Sequence, residues 1–123
     1  MTTTEVTRAT EQVLVALSDA IRCGDRDGAK ALFAPDAIYA PGTGTAVYKG
    51  PDEVVEALFA TNERFEWFAF GSVRRFVAGE QAYAEWRLSA KSRDGVGYNV
   101  HGCDYFEVRD GKIRLKNTFL NCP

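Results

Sequence analysis

Beyond residue 64 the sequence is divided by three short turn signals, Gly79-Glu80, Asp94-Gly95 and Asp110-Gly111. A glycine in such a pair accepts positive φ without a side-chain clash, so each pair specifies a tight reversal between strands. The runs they separate, 67–77, 82–91, 98–108 and 113–120, are rich in aromatic and β-branched residues or alternate in polarity. Together they predict a four-stranded antiparallel meander.

The first half of the chain reads differently. Val6, Val13, Leu14, Leu17, Ala20 and Ile21 recur at helical spacing, predicting a helix over 4–23. Thr2 and Glu5 have capping-box spacing at its start, and Gly24 supplies a left-handed stop. A second helix fits 26–34, ended by Pro35. Short strands are expected at 37–40 and 46–49, on either side of a Pro-Gly-Thr-Gly-Thr loop. Gly50-Pro51-Asp52-Glu53 opens a third helix that runs to about residue 64 and buries Val54, Val55, Leu58 and Phe59. Three helices followed by a meander define an α+β architecture, with the helices on one face of a curved sheet. The 123 residues suit one domain, 1–123.

Composition narrows the function. Fifteen basic residues against seventeen acidic ones leave a net charge of −2, with no cationic excess to hold a phosphate backbone or an anionic membrane. No apolar run approaches the length of a membrane span. Cys23, Cys103 and Cys122 are far apart, His101 is the only histidine, and no CxxC pair is present. This pattern predicts a cytoplasmic protein with reduced thiols and no metal site. No phosphate-cradling glycine loop marks a nucleotide cofactor, and none is expected. His101 and Cys103 read as ordinary strand residues. His101, three positions before Asp104, faces the opposite way on a regular strand.

The order of four segments resembles the nuclear transport factor 2-like superfamily, and within it the SnoaL-like and ketosteroid-isomerase-like proteins. They are Gly24-Asp25-Arg26-Asp27-Gly28, the stretch Ala31-Leu32-Phe33-Ala34-Pro35-Asp36-Ala37, the stretch Tyr48-Lys49-Gly50-Pro51-Asp52-Glu53, and 104–113 beginning Asp104-Tyr105-Phe106. The resemblance implies a cone-shaped α+β barrel that encloses one pocket and often dimerises through its sheet. It places Asp104 where ketosteroid isomerases carry an aspartic acid that donates to an oxyanion. Leu17 and Pro41 stand where those enzymes have a tyrosine and a catalytic base. Tyr39 matches a tyrosine of limonene-epoxide-hydrolase-like enzymes, whose Arg/Asp pair is represented in reversed order by Glu85 and Arg87 and whose last aspartate is replaced here by Thr118.

Alternation leaves two orientations open, and the strand at 82–91 and the last strand are expected to share whichever holds. Either the apolar sets, Trp86 and Leu88 with Leu115 and Phe119, line the core, or the charged sets do. The resemblance implies the second, turning Glu85, Arg87, Lys116 and Thr118 into the cone and leaving Trp86, Leu88, Leu115 and Phe119 for a dimer partner. The catalytic set expected on that basis is Asp104 as general acid or hydrogen-bond donor, Glu85 as base, Arg87 orienting it and Tyr39 holding a substrate oxygen or water. Asp104 reads equally well as a structural carboxylate of the pocket wall. Leu17, Phe59, Tyr83, Phe106, Lys116, Thr118 and Leu120 are the expected ligand-binding residues. The functions implied are acid–base chemistry without a cofactor on a small hydrophobic molecule (isomerisation, cyclisation, dehydration or hydrolysis) or, alternatively, a non-catalytic binding or dimerisation module of the same fold. A homodimer is expected, and neither nucleic acid nor membrane is expected as a partner.

Overall fold

A computed structural model of the protein describes residues 2–42 and 44–121. Helix α1 (Thr3–Cys23) starts where Thr2 Oγ1 accepts the Glu5 N–H and stops at Gly24, whose φ of 72° lets the chain turn. Helix α2 (Arg26–Lys30) is only five residues long, capped by the Asp25 side chain. It does not reach residue 34 as its sequence suggests. Strand β1 (Phe33–Ala40) takes over instead, because Phe33 and Ala34 are buried against the sheet and Ile113 donates its N–H to the Leu32 carbonyl. Pro35 is tolerated within β1 because it lies at an irregularity of the pairing and beyond the reach of β2, where no ladder hydrogen bond is required of it. Strand β2 (Tyr48–Lys49) leads into α3 (Gly50–Glu63), which buries Val54, Val55, Leu58 and Phe59.

The meander follows as β3 (Phe65–Ala78), β4 (Gln81–Ser92), β5 (Gly97–Arg109) and β6 (Lys112–Leu120). The six strands are ordered β2-β1-β6-β5-β4-β3, and only the β1–β6 pairing is parallel. The sheet is curved but open: β2 and β3 remain its two edges. Thr10 donates to the Gly79 carbonyl and Thr7 accepts the Gly79 N–H, tying α1 to the β3–β4 turn.

One side of the sheet carries the helices. Leu14 and Leu17 of α1 and the buried residues of α3 pack there against Tyr39, Ala82, Phe106, Val108 and Ile113. A second cluster, Phe65, Leu88 and Ala90 with Phe68, Trp86 and Val100 packed against it, continues the same side toward the far end of the long strands. The face of β4 expected to line the cone is therefore reversed. Ala82, Leu88 and Ala90 are buried on the helix side, with Trp86 in register among them, while Tyr83, Glu85, Arg87 and Ser89 lie on the outer side. Packing Trp86 and Leu88 inward removes far more apolar surface from water than packing Glu85 and Arg87 there, and spares two charges their desolvation.

Strand β6 behaves differently. Glu107 lies opposite Leu115 but Val108 lies opposite Ile113, so one extra residue bulges out of β6. The bulge shifts the alternation, and Lys116 and Thr118 join Ile113 on the helix side while Phe119 stays outside.

Candidate functional site

Register brings a set of inward residues together. Ala84, Asp104 and Thr118 occupy one rung across β4, β5 and β6; Trp86, Gly102 and Leu120 occupy the next, and Phe106 pairs with Lys116 on the other side. Asp104, Lys116 and Thr118 are each only 7% exposed. Their burial is compensated by mutual bonding. Trp86 Nε1 donates to Asp104 Oδ2 at 3.1 Å, and Thr118 Oγ1 donates to Asp104 Oδ1 at 2.6 Å. Lys116 Nζ lies 3.3 Å from Asp104 Oδ1 and donates to Thr118 Oγ1 at 3.1 Å. Aromatic faces enclose the ammonium, with its nitrogen 4.7 Å from the Tyr39 ring centroid and 5.7 Å from that of Phe106. Tyr39 is itself held by stacking on Tyr48, with centroids 6.0 Å apart.

This geometry defines what Asp104 can do. An indole N–H and an ammonium only donate, so both carboxylate oxygens act as acceptors. Within the cluster Asp104 accepts, and its expected role as general acid or hydrogen-bond donor concerns a ligand. A carboxylate offers about four acceptor positions, and Trp86, Thr118 and Lys116 take three. The fourth, on Oδ2 beside the indole, has no donor among the described residues. Lys116 likewise engages two oxygen partners with three N–H groups.

Of the expected site residues, Tyr39, Asp104, Phe106, Lys116 and Thr118 form this cluster. Leu17 and Phe59 belong to the adjoining core, and Leu120 is partly buried on the Asp104 side of the sheet. Glu85, Arg87 and Tyr83 stand outside it. Glu85 is held on the outer face by Arg74 Nε at 2.8 Å and His101 Nε2 at 2.5 Å. Arg87 is exposed and makes no ion pair among the described residues. A cleft of about 540 Å³ is lined by Thr3, Val6, the β3–β4 turn, Glu107, Arg109 and Arg114. Beside it, Gln81 donates to the Tyr105 hydroxyl, which donates to Glu107 Oε2, and Arg114 pairs with Glu107. The Arg114 hydrogen bond, reinforced by Tyr105, holds the Glu107 carboxyl below its ordinary range. Burial, and then the bond to Glu107, pushes the Tyr105 hydroxyl up.

Trp86 and Gly102 were not among the expected site residues, yet they complete the cluster. A Cβ on Gly102 would sit 2.5 Å from Trp86 Cζ2 and 2.6 Å from Cη2, so the bare glycine is what lets the indole lie over β5 and reach Asp104. The hairpin signal at Asp94-Gly95 carried this information, because the pairing it centres sets Trp86 opposite Gly102.

Residues 14–115 match the SnoaL-like domain family, and the chain belongs to that family. Solved structures agree with the fold. An NTF2-like protein of unknown function from Mesorhizobium loti is 21% identical with a TM-score of 0.80, covering 94% of this chain and 93% of its own. A putative SnoaL-like polyketide cyclase from Jannaschia sp. CCS1 is 15% identical with a TM-score of 0.84, covering 94% and 88%. An LEH-like epoxide hydrolase from Mycobacterium tuberculosis is 24% identical with a TM-score of 0.73, covering 97% and 84%. No curated protein matches the chain. Among the described residues no helix is long and apolar enough to cross a membrane.

Proposed function

We propose that the helix-covered side of the sheet binds a small, mainly apolar carbonyl compound and that Asp104 performs acid–base chemistry on it, without a cofactor, in the cytoplasm. The observation that carries this reading is the buried Asp104–Lys116 pair, held by Trp86 and Thr118 and bordered by aromatic rings. The pair is neutral overall, which favours an uncharged ligand over an anion or a cation. Lys116, with Tyr39 nearby, receives the ligand oxygen and stabilises charge that develops on it. The open acceptor position of Asp104 takes a proton from the adjacent carbon or from a bound water. Isomerisation, cyclisation, dehydration and hydrolysis all draw on that pair of roles.

The test is α-proton exchange. Cyclohexanone in deuterated buffer should exchange faster with the protein than without it, and Asp104→Asn should lower the rate by about 10²-fold or more. Binding, followed through the fluorescence of Trp86 in a Trp67→Phe background, should survive that substitution. A second reading, a binding module without turnover, is favoured by the extent to which protein donors already occupy Asp104 and by the absence of Glu85 and Arg87 from the cluster. Binding with no exchange above buffer would establish it. We also propose a homodimer through the outer face, where Trp67, Phe76, Tyr83 and Phe119 are exposed. Trp86 and Leu88, placed on the helix side, have no part in that contact, and a monomer mass in light scattering at micromolar concentration would refute it.

A further inference from the structure

We infer that Lys116 is a nucleophile as well as an oxygen-binding group, and that it condenses with the ligand's aldehyde or ketone carbon to form an imine. The inference rests on the cone side being the ligand site. Of the five lysines in the chain, four (Lys30, Lys49, Lys91 and Lys112) keep their side chains in or near water. Lys116 alone is buried, with only 9% of its side chain exposed, so its amine meets a ligand rather than bulk solvent. A lysine used in this way needs an acceptor for its proton, a donor for the departing oxygen and apolar walls that keep water from competing. Asp104, with Oδ1 3.3 Å from the amine, supplies both proton functions; Thr118 Oγ1, accepting from Lys116 at 3.1 Å, holds the two groups together, and the rings of Tyr39 and Phe106 are the walls.

The step balances within the cluster. Lys116 passes one ammonium proton to Asp104, and the freed nitrogen lone pair forms a bond to the carbonyl carbon as the C=O π pair moves to oxygen. That oxygen takes the proton back from Asp104. A second proton follows the same route from nitrogen through Asp104 to the hydroxyl, and the C–O bond breaks to release water as the nitrogen lone pair closes the C=N bond. Asp104 ends as the carboxylate it began as, and the single positive charge has moved from the ammonium to the iminium. Thr118, bonded to both groups, keeps the carboxylate and the amine in line for both transfers. The iminium then acidifies the neighbouring C–H, which places the proton-accepting role of Asp104 after condensation rather than before it.

The probe is 2,4-pentanedione, whose imine rearranges to a stable enaminone that absorbs in the near ultraviolet and needs no reductant to trap it. The whole protein is incubated with it near neutral pH and digested, and each lysine peptide is followed by mass spectrometry. Lys116 should gain one diketone less one water faster than the other four lysines, and the absorbance should be lost in Lys116→Met. Equal or slower modification of Lys116 overturns the proposal, whatever the stability of the variants, because that arm uses the unmodified sequence. Cyclohexanone exchange separates the two readings. If Lys116 stays unlabelled while exchange still depends on Asp104, the imine falls and the site stands. If labelling and exchange both fail, the catalytic reading falls with it.

Discussion

Replacing Gly102 with alanine is the sharpest test of the Trp86–Asp104 arrangement, because the default expectation has the opposite sign. Gly102 does not adopt positive φ, and at such positions alanine ordinarily stabilises by about 0.4–1 kcal/mol by restricting the unfolded chain. Here the new Cβ would meet Trp86 Cζ2 at 2.5 Å, Cη2 at 2.6 Å and the Phe119 carbonyl oxygen at 3.0 Å. Backbone blocks escape on one side, so the indole must tilt. Overpacking of this kind costs about 1–3 kcal/mol. Tilting also withdraws Nε1 from Asp104, and a hydrogen bond to a charged group contributes about 1.5–3 kcal/mol. Set against the unfolded-chain gain, the expected net loss is about 2–5 kcal/mol, large for a domain of this size. In urea, with a slope of about 1–3 kcal/mol per molar, the midpoint should fall by roughly 1–5 M. The near-ultraviolet circular dichroism of Trp86 should weaken at the same time. The decisive control is the same substitution in a Trp86→Leu background, where the ring is gone and the penalty should shrink below about 1 kcal/mol. An unchanged or raised midpoint in the single variant, or an equal penalty in both backgrounds, would refute the reasoning.

Thr118→Val keeps the shape of the side chain but removes a donor to Asp104 and an acceptor for Lys116, and should cost about 1.5–3 kcal/mol in the same denaturation assay. Removing one partner of the buried pair, by Asp104→Leu or Lys116→Met, should cost about 3–5 kcal/mol, whereas the double variant should be less destabilised than the sum of the two. Strict additivity in that cycle would show that the pair is not coupled. On the outer face, the carboxyl of Glu107 is lowered below its unfolded value, so it contributes stability above the unfolded carboxylate range that is lost as pH falls through the lower folded value. Glu107→Gln should therefore flatten the acid limb of the stability profile and leave its alkaline limb in place. The Tyr105 hydroxyl is shifted the other way, so its contribution is complete below the unfolded tyrosine range and is lost as pH rises through the higher folded value. Tyr105→Phe should remove that alkaline loss, as measured by urea titration across the alkaline range.

Periodicity made the helix and strand content of this chain legible because its signals are local. Thr2, Gly24 and Pro51 mark helix ends through their own backbone preferences, and the glycine-containing turns mark the hairpins through theirs. The exception shows the limit of that logic. Pro35 disfavours a helix at residue 34, but the helix had already ended by residue 30, because Phe33 and Ala34 gain more from the sheet than from another helical turn. A long-range contact with Ile113 outweighed a local propensity that nothing nearby opposed.

The direction in which a strand faces is a different kind of information. Alternation in β4 sorts its residues into two sets but does not say which set meets the helices, and the resemblance to other proteins suggested the wrong one. The physical criterion was available: Trp86 and Leu88 bury apolar area, whereas Glu85 and Arg87 must be desolvated, and on the outer face Arg74 and His101 satisfy Glu85 without that cost. In β6 the same criterion alone would have failed, since Leu115 and Phe119 outrank Lys116 and Thr118 in hydrophobicity. There the bulge after Ile113 sets the parity, and burial of Lys116 is tolerable only because β5 presents Asp104 on the adjacent inward rung. Asp104 in turn is tolerable because Trp86 of β4 faces inward and Gly102 leaves it room. The inward Trp86 and the inward Lys116 are thus linked through one carboxylate. Reversing either strand would leave Asp104 buried with a donor missing, at a cost of about 1–3 kcal/mol or more for each unsatisfied group. That mutual dependence, rather than the pattern of any single strand, is what fixes the site.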